Sequence, residues 1–173
     1  MSKLEIRQGS SVDLEVDAIV NAANKYLAAG SGVCGEIFKR AGLQELTNAC
    51  NSIKTPLKDG SAVITPSFNI NTCKYIIHAI GPNFSINKEA FNDLFNAYYN
   101  SLLLLKDNNL HSISFPLISA GIYSGTLSNP AYISTTECIK AYNNFINEYD
   151  YDIDVYVSAY SNKDYNEIKD IMI

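Results

Sequence analysis

Two loops of this sequence combine glycines with small polar residues in a way that suits the binding of an anion. The first loop covers residues 30–35 ("GSGVCG") and leads from an apolar strand into an amphipathic helix. Glycine lets a ligand approach the backbone closely, and the first amides of a helix lack partners and carry a partial positive charge. These properties predict a phosphate site at residues 30–35. On its own, the pattern is also typical of a flexible turn that enters a helix.

Neither of the common phosphate-loop motifs accounts for the first loop. It lacks the Gly-Lys-Ser/Thr ending of a Walker loop and the GxGxxG pattern of dinucleotide binding. The second loop, residues 115–130 ("FPLISAGIYSGTLSNP"), also follows a predicted buried strand and contains glycines, hydroxyls and Tyr123. Two such loops on neighbouring strands would hold a diphosphate between them, with Tyr123 over an adjacent sugar. A tight surface loop is the alternative interpretation.

A pair of asparagines, Asn21 and Asn24, lies at the end of the first of these strands. Buried side-chain amides need hydrogen-bond partners. We expect Asn21 to tie the loop to its own backbone, as Asn side chains often do. Asn24 lies nearer the glycines and is expected to contact a ligand hydroxyl, because an amide both donates and accepts hydrogen bonds.

Composition and charge limit the classes of partner. A chain of 173 residues fits one domain, predicted over residues 1–173. The net charge of −5 and the lack of a Lys/Arg cluster argue against general nucleic-acid binding. No apolar run approaches a membrane span, and the start is too polar for a signal peptide. Four cysteines without a CxxC pair favour reduced thiols. We therefore expect a cytoplasmic monomer that uses neither metal nor cofactor.

Predicted strands alternate with predicted helices along the chain. The strands are predicted at residues 3–8, 18–23, 61–66, 74–81, 112–117 and 152–160, and the helices at 33–41, 43–52, 89–106, 130–145 and 163–171. Asn129 is predicted to cap the fourth helix and Pro130 to be its first residue. This order predicts a three-layer α/β/α fold around a mixed, largely parallel sheet. Ligands of such sheets bind at the carboxyl ends of the strands, which is where both glycine-bearing loops begin.

Four segments together resemble a known family. Residues 17–42 ("DAIVNAANKYLAAGSGVCGEIFKRAG"), 60–82, 112–125 and 155–161 are similar to macro domains, the ADP-ribose-binding α/β/α modules. The resemblance implies that the protein binds ADP-ribose or an ADP-ribosylated protein and hydrolyses ADP-ribosyl esters, on Asp or Glu side chains or in O-acetyl-ADP-ribose. A non-catalytic reader of ADP-ribose is the alternative. A macro fold that reads another nucleotide or an RNA end is a third interpretation, which the acidic composition disfavours.

The resemblance also implies a role for each matched position. Asn24 is expected at the distal ribose, and Gly32 and Tyr123 complete the predicted catalytic set. The predicted ADP-ribose-binding set is Ser10, Ser11, Ala22, Asn24, Gly32, Val33, Cys34, Ser119, Ala120, Gly121, Ile122, Tyr123 and Tyr160. Within it, Tyr160 is expected against the adenine, although a strand residue that covers the core would also explain it.

At the adenine end, this chain departs from the family pattern. Members that select adenine have an Asp after the glycine of the first strand, where this chain has the neutral Ser10. A charge-assisted hydrogen bond is roughly twice as strong as a neutral one, so we expect weaker adenine selection or reliance on the backbone near Ser11 and Val12. Asp13 or Asp17 is a possible substitute, but the spacing argues against both.

The second departure is Cys34, which stands where hydrolytic members of one branch have an Asp. The interpretation we favour is a small apolar residue beside the distal ribose. A reactive thiol with a lowered pKa at a helix N-terminus is the alternative. Loss of the Asp favours slower hydrolysis without preventing it, because some family members that remove ADP-ribose also lack an acid here.

Overall fold

Six strands form one sheet in the computed structural model, which describes all of residues 1–173. The strands are β1 (Lys3–Gln8), β2 (Ala18–Ala23), β3 (Ala62–Pro66), β4 (Tyr75–Ile80), β5 (Ser112–Phe115) and β6 (Asp154–Ala159). Their order across the sheet is β1-β6-β5-β2-β4-β3. Only the β3–β4 pair is antiparallel. The prediction of a mixed, largely parallel sheet is confirmed.

The helices follow the predicted order. They are α1 (Gly32–Ala41), α2 (Leu43–Asn51), α3 (Phe91–Asp107), α4 (Pro130–Glu148) and α5 (Asn162–Ile168), with a short 3₁₀ turn at Ile122–Ser124. Pro130 is the first residue of α4, as expected, but the Asn129 side chain forms no cap. Its Oδ1 instead accepts a hydrogen bond from Ser128 Oγ at 3.3 Å. None of the helices has the length and apolarity needed to cross a membrane.

Both faces of the sheet are covered by helices. Successive side chains of a strand point to opposite faces, so Ile19 and Ile76 join the apolar cluster under α1 and α2. Val20 and Ile77 join the larger cluster under α3 and α4. Burial on both faces explains why β2 and β4 are nearly continuous apolar runs, and it confirms the three-layer prediction.

The parallel strands bring the two glycine-bearing loops together. The Cα atoms of Ala18 and Ile113 are paired between β2 and β5, and those of Ile113 and Val155 are paired between β5 and β6. Because parallel strands in register end at the same edge of a sheet, the loops after β2 and β5 emerge side by side. The loop after β6, which contains Tyr160, emerges at the same edge.

Candidate functional site

A cleft with two connected compartments lies at this edge of the sheet. The outer compartment has a volume of about 490 Å³ and is lined by Ser10, Val12, Asp13, Gly32, Val33, Glu36, Arg40 and Tyr160. The inner compartment has a volume of about 330 Å³ and is lined mainly by the two glycine-bearing loops, from Ala22 to Cys34 and from Pro116 to Tyr123. Gly32 and Val33 line both compartments, so the two spaces meet at the start of α1.

The predicted ligand-binding residues line this cleft, with two exceptions. Ser11 lines neither compartment, and its Oγ is buried. Its carbonyl accepts a hydrogen bond from Ser114 Oγ at 2.7 Å. Ala120 is half-buried between Ser119 and Gly121, which both line the inner compartment. Ala120 itself does not line the compartment, so only its main-chain amide is expected to serve a ligand.

The first loop presents unpaired amides at the start of α1. Gly32 has a φ of 61°, a left-handed conformation that favours glycine. A Cβ at Gly35 would lie 2.5 Å from the carbonyl oxygen of Gly30, so the loop folds closely against the helix. The Gly35 amide donates to Ser31 O at 3.3 Å, whereas the amides of residues 32–34 have no carbonyl partner within the helix. This end of α1 therefore suits an anion.

The second loop is anchored in a way that leaves its amides available. Ser119 Oγ donates to Pro82 O at 2.7 Å, and the Phe84 amide donates to Tyr123 O at 2.8 Å. The Ser124 amide closes the 3₁₀ turn on Gly121 O at 3.0 Å. None of these bonds uses the amides of residues 120–123. The two loops thus present two sets of main-chain donors to one compartment.

The roles assigned to the two asparagines have to be corrected. Asn24, not Asn21, ties the first loop to its own backbone. Its Oδ1 accepts from the amides of Tyr26 and Ala28, both at 3.1 Å, and its Nδ2 donates to Ala28 O at 2.9 Å. Asn24 still lines the inner compartment, but its oxygen already accepts two bonds. It therefore retains one N–H to offer a ligand, rather than both a donor and an acceptor.

Asn21 pairs instead with a buried histidine on the neighbouring strand. Its Nδ2 lies 3.0 Å from His78 Nδ1, and Thr65 Oγ1 lies 2.9 Å from His78 Nε2. Burial lowers the pKa of His78 to about 4, so the ring is neutral at pH 7. With Nδ1 accepting from Asn21, the ring proton is on Nε2 and points to Thr65. Asn21 Oδ1 is buried without a protein partner.

Cys34 has the character of a small apolar residue. It is 8% exposed, belongs to the same apolar cluster as Ile37 and Phe38, and lies with its Sγ 3.7 Å from Ala28 O. Burial raises the pKa of the Cys34 thiol, and the contributions of Gly30 and Asn21 do not offset this effect. This direction is opposite to the lowered pKa that the alternative of a reactive thiol requires.

The outer compartment is built from side chains. Arg40 joins Asp13 through Nη1 at 2.7 Å and Glu36 through Nε at 2.8 Å, so the carboxylate of Asp13 is already paired. Tyr160 lies just beyond β6 and is 80% exposed, which contradicts the interpretation that it covers the core. Asp17 lies elsewhere, because its Oδ2 accepts from the His111 amide at 2.7 Å. Glu36 and Arg40 are four residues apart on α1, and this spacing was the one sequence signal for the Glu36–Arg40 ion pair.

Ser10 and Tyr160 supply the neutral hydroxyl groups of the outer compartment. Ser10 Oγ accepts from the Val12 amide at 3.3 Å, and the Ser10 carbonyl accepts from Arg7 Nη1 at 3.2 Å. The guanidinium of Arg7 also donates to Ser158 Oγ at 2.9 Å. Arg7 therefore fixes the turn that carries Ser10, and no unpaired carboxylate lines the outer compartment.

An α/β/α domain with an anion-binding cleft at the carboxyl ends of parallel strands defines a class of proteins that bind phosphorylated ligands. Within that class, a family model described as Macro domain matches residues 20–132. The chain belongs to this family, as the sequence resemblance indicated.

Relatives and solved structures agree with this assignment. The chain is 37% identical over 163 residues to an O-acetyl-ADP-ribose deacetylase of Salmonella typhimurium, covering 92% of this chain and 88% of that protein. It is 43% identical over 143 residues to the ADP-ribose glycohydrolase MACROD2 of Mus musculus, covering 80% of this chain but only 29% of the mouse protein.

Two solved macrodomains have similar folds. A macrodomain of Oceanobacillus iheyensis with ADP superimposes with a TM-score of 0.86 at 32% identity, covering 97% of this chain and 88% of that chain. A macrodomain of Trypanosoma brucei in complex with ADP-ribose has a TM-score of 0.80 at 26% identity, covering 95% of this chain and 66% of that chain.

Proposed function

We propose that the protein binds ADP-ribose in this cleft and hydrolyses ADP-ribosyl esters. The candidate substrates are O-acetyl-ADP-ribose and proteins that carry mono-ADP-ribose on Asp or Glu. The main support is that two sets of main-chain amides, at residues 32–34 and 120–123, have no main-chain hydrogen-bond partner. Both sets lie on the two loops that line the inner compartment. A diphosphate between them would accept hydrogen bonds from both loops. The activities named for the Salmonella and mouse relatives support the same reaction class.

The two compartments suggest an orientation for the ligand. Gly32 and Val33 line both compartments, so the diphosphate belongs where the two compartments meet. The adenosine then extends into the outer compartment toward Tyr160. The distal ribose occupies the inner compartment beside Asn24 and Tyr123, where the free N–H of Asn24 donates to a ribose hydroxyl.

Catalysis in this cleft does not rely on a side-chain base. None of the residues that line the inner compartment is Asp, Glu or His. We therefore assign the rate enhancement to main-chain amides that orient the ester and a water molecule and stabilise the charge that develops during cleavage. Such a site is expected to work more slowly than one that also has a positioned carboxylate.

A turnover assay tests the proposal. The protein is incubated with O-acetyl-ADP-ribose and, in parallel, with a peptide that carries ADP-ribose on Glu, and the release of ADP-ribose is followed. We expect release above the spontaneous rate from at least one of these esters, and binding of ADP-ribose in calorimetry. Absence of both binding and release would overturn the proposal.

A non-catalytic reader is the second candidate function, and the lack of an acid in the inner compartment favours it. ADP-ribose binding without release from either ester would establish this role. The variant Cys34→Asp separates the two candidates further, since it places a carboxylate at the start of α1 beside the proposed distal ribose. An enzyme should gain about 100-fold in turnover with this variant, at the lower end of the range for a positioned general base. A reader should lose affinity instead, because the pocket is shaped for an apolar group.

A further inference from the structure

A third space adjoins the inner compartment at Tyr123. This side pocket has a volume of about 120 Å³, and its lining includes Lys25, Asp59, Gly81, Asn83, Asn87 and Tyr123. Tyr123 also lines the inner compartment, so the two spaces adjoin at this residue. A group attached to a ribose beside Tyr123 would therefore extend toward the side pocket.

The side pocket is held rigidly against the loops of the cleft. The Phe84 amide donates to Tyr123 O at 2.8 Å, and the Leu57 amide donates to Lys25 O at 2.8 Å. A Cβ at Gly81 would lie 2.4 Å from Ile118 Cγ2, so Ile118 of the second loop packs directly on Gly81. The segments that contribute the pocket are thus fixed relative to the inner compartment.

The polar groups of the side pocket are mostly hydrogen-bond donors. Asn83 Oδ1 accepts from the Ser85 amide at 3.0 Å, and Asn87 Oδ1 accepts from the Glu89 amide at 3.1 Å. These bonds occupy the two amide oxygens and leave the two NH₂ groups to donate. Lys25 adds an ammonium group, whose distance of 3.9 Å from Asp59 Oδ1 indicates a loose, partly exposed pair. An acceptor with negative charge matches this set of groups.

We infer that the side pocket takes the acyl part of the substrate and that Lys25 binds the carboxylate released by hydrolysis. The inference rests on the proposed function. Ester and water give ADP-ribose, a carboxylate and one proton, which passes to solvent. The same products form whether water attacks the anomeric carbon, breaking its bond to the ester oxygen, or the acyl carbon, breaking the bond to the ribose oxygen. In either case the fragment that leaves the distal ribose is a carboxylate, and an ammonium group close by stabilises it.

The first experiment compares Lys25→Met with the wild-type protein and uses Lys39→Met, an exposed lysine on α1, as the control. With O-acetyl-ADP-ribose, we expect kcat/KM to fall about tenfold for Lys25→Met, while the Kd for ADP-ribose stays within about twofold. Lys25→Arg should retain most of the activity, because it keeps the charge. The control should match the wild-type protein in both measurements.

The second experiment measures carboxylate binding without turnover. Sodium acetate is titrated into the ADP-ribose complex while the backbone amide signals of residues 25, 83 and 87 are followed by NMR, with sodium chloride as the ionic-strength control. We expect acetate to shift these signals in the wild-type protein and not in Lys25→Met. Asp59→Asn should strengthen acetate binding, because it removes the carboxylate that competes for Lys25.

The outcomes separate this inference from the proposed function. If Lys25→Met matches the wild-type protein in kcat/KM and in its response to acetate, the inference is overturned while the proposed function stands. If no ester is hydrolysed but acetate still shifts residues 25, 83 and 87, the carboxylate pocket is supported and the proposed hydrolysis fails. If acetate shifts none of these signals, the pocket assignment is overturned.

Discussion

The inner and outer compartments of the cleft are built by different means. The inner compartment presents main-chain amides that the hydrogen bonds of two loops hold in place. The outer compartment presents side chains, among them the exposed Tyr160 and the Arg40 ion pairs. Exposed side chains lose conformational freedom when they bind, and solvent screens their charges. We therefore expect the inner compartment to supply most of the affinity and the outer compartment to supply little base selectivity.

The largest effect is expected from Gly32→Val, because Gly32 lines both compartments. Its φ of 61° disfavours any side chain, and no protein atom lies within 4 Å of the Cβ position, so valine would project into the cleft. We expect the affinity for ADP-ribose, measured by calorimetry, to fall at least about 100-fold, or about 2.7 kcal/mol.

The matched control for this variant is Gly30→Ala, whose Cβ would lie 3.6 Å from Cys34 Sγ in ordinary contact. Its affinity should be close to that of the wild-type protein. Equal losses in the two variants would mean that general loop disruption, rather than occupation of the cleft, explains the result.

Asn24→Ala is expected to have the next largest effect. The variant removes three hydrogen bonds that shape the first loop and one N–H that faces the inner compartment. We expect turnover of O-acetyl-ADP-ribose to fall by about 30-fold and affinity by less, because misplacement of the ester affects the transition state most. Steady-state kinetics and calorimetry together measure the two losses. An unchanged kcat would show that the first loop does not position the reacting ester.

Tyr160→Ala should have a small effect, and Tyr160→Phe should have almost none. An exposed ring that stacks on a base contributes about 1 kcal/mol, so the alanine variant should weaken ADP-ribose binding by about fivefold. Binding of ribose 5-phosphate, which has no base, should be the same in all three proteins. A loss above about 100-fold for Tyr160→Ala would reverse the proposed ranking of the two compartments.

His78 should affect the stability of the protein rather than its affinity. Burial lowers the pKa of the His78 imidazole from 6.5 to about 4. Between pH 4 and 6.5, the unfolded chain therefore binds more protons than the folded protein. The free energy of unfolding therefore decreases as the pH falls through this window, by about 1 kcal/mol between pH 7 and 5.5. Urea unfolding at the two pH values measures the change. His78→Gln should abolish it, and His111→Gln, a change at an exposed histidine, should preserve it.

Features set by local sequence were the most predictable part of this fold. The bounds of β1 and β2, the start of α4 at Pro130 and the positions of both glycine-bearing loops follow from apolar periodicity and from glycine and proline placement. These signals act within a few residues of one another, so a single sequence contains them. The cytoplasmic location, the monomeric state and the extent of the domain over residues 1–173 stay predictions.

Features set by distant contacts were not predictable from one sequence. The partner of Asn21 is His78, 57 residues away, and the partner of Arg40 at the outer compartment is Asp13, 27 residues away. The pairing of Asn21 with His78 depends on the register of β2 against β4, which local patterns do not determine. The side pocket unites residues from four segments of the chain, and no one of these segments has a recognisable motif.

A titration of the ¹⁵N-labelled protein with ADP-ribose, followed through its backbone amide signals, tests most directly whether two sets of loop amides bind one diphosphate. We predict that the amides of residues 32–34 and 120–123 shift together and saturate at the same ligand concentration, since both sets donate to one diphosphate. Shifts confined to residues 10–13 and 160, with both sets of loop amides unchanged, would contradict it.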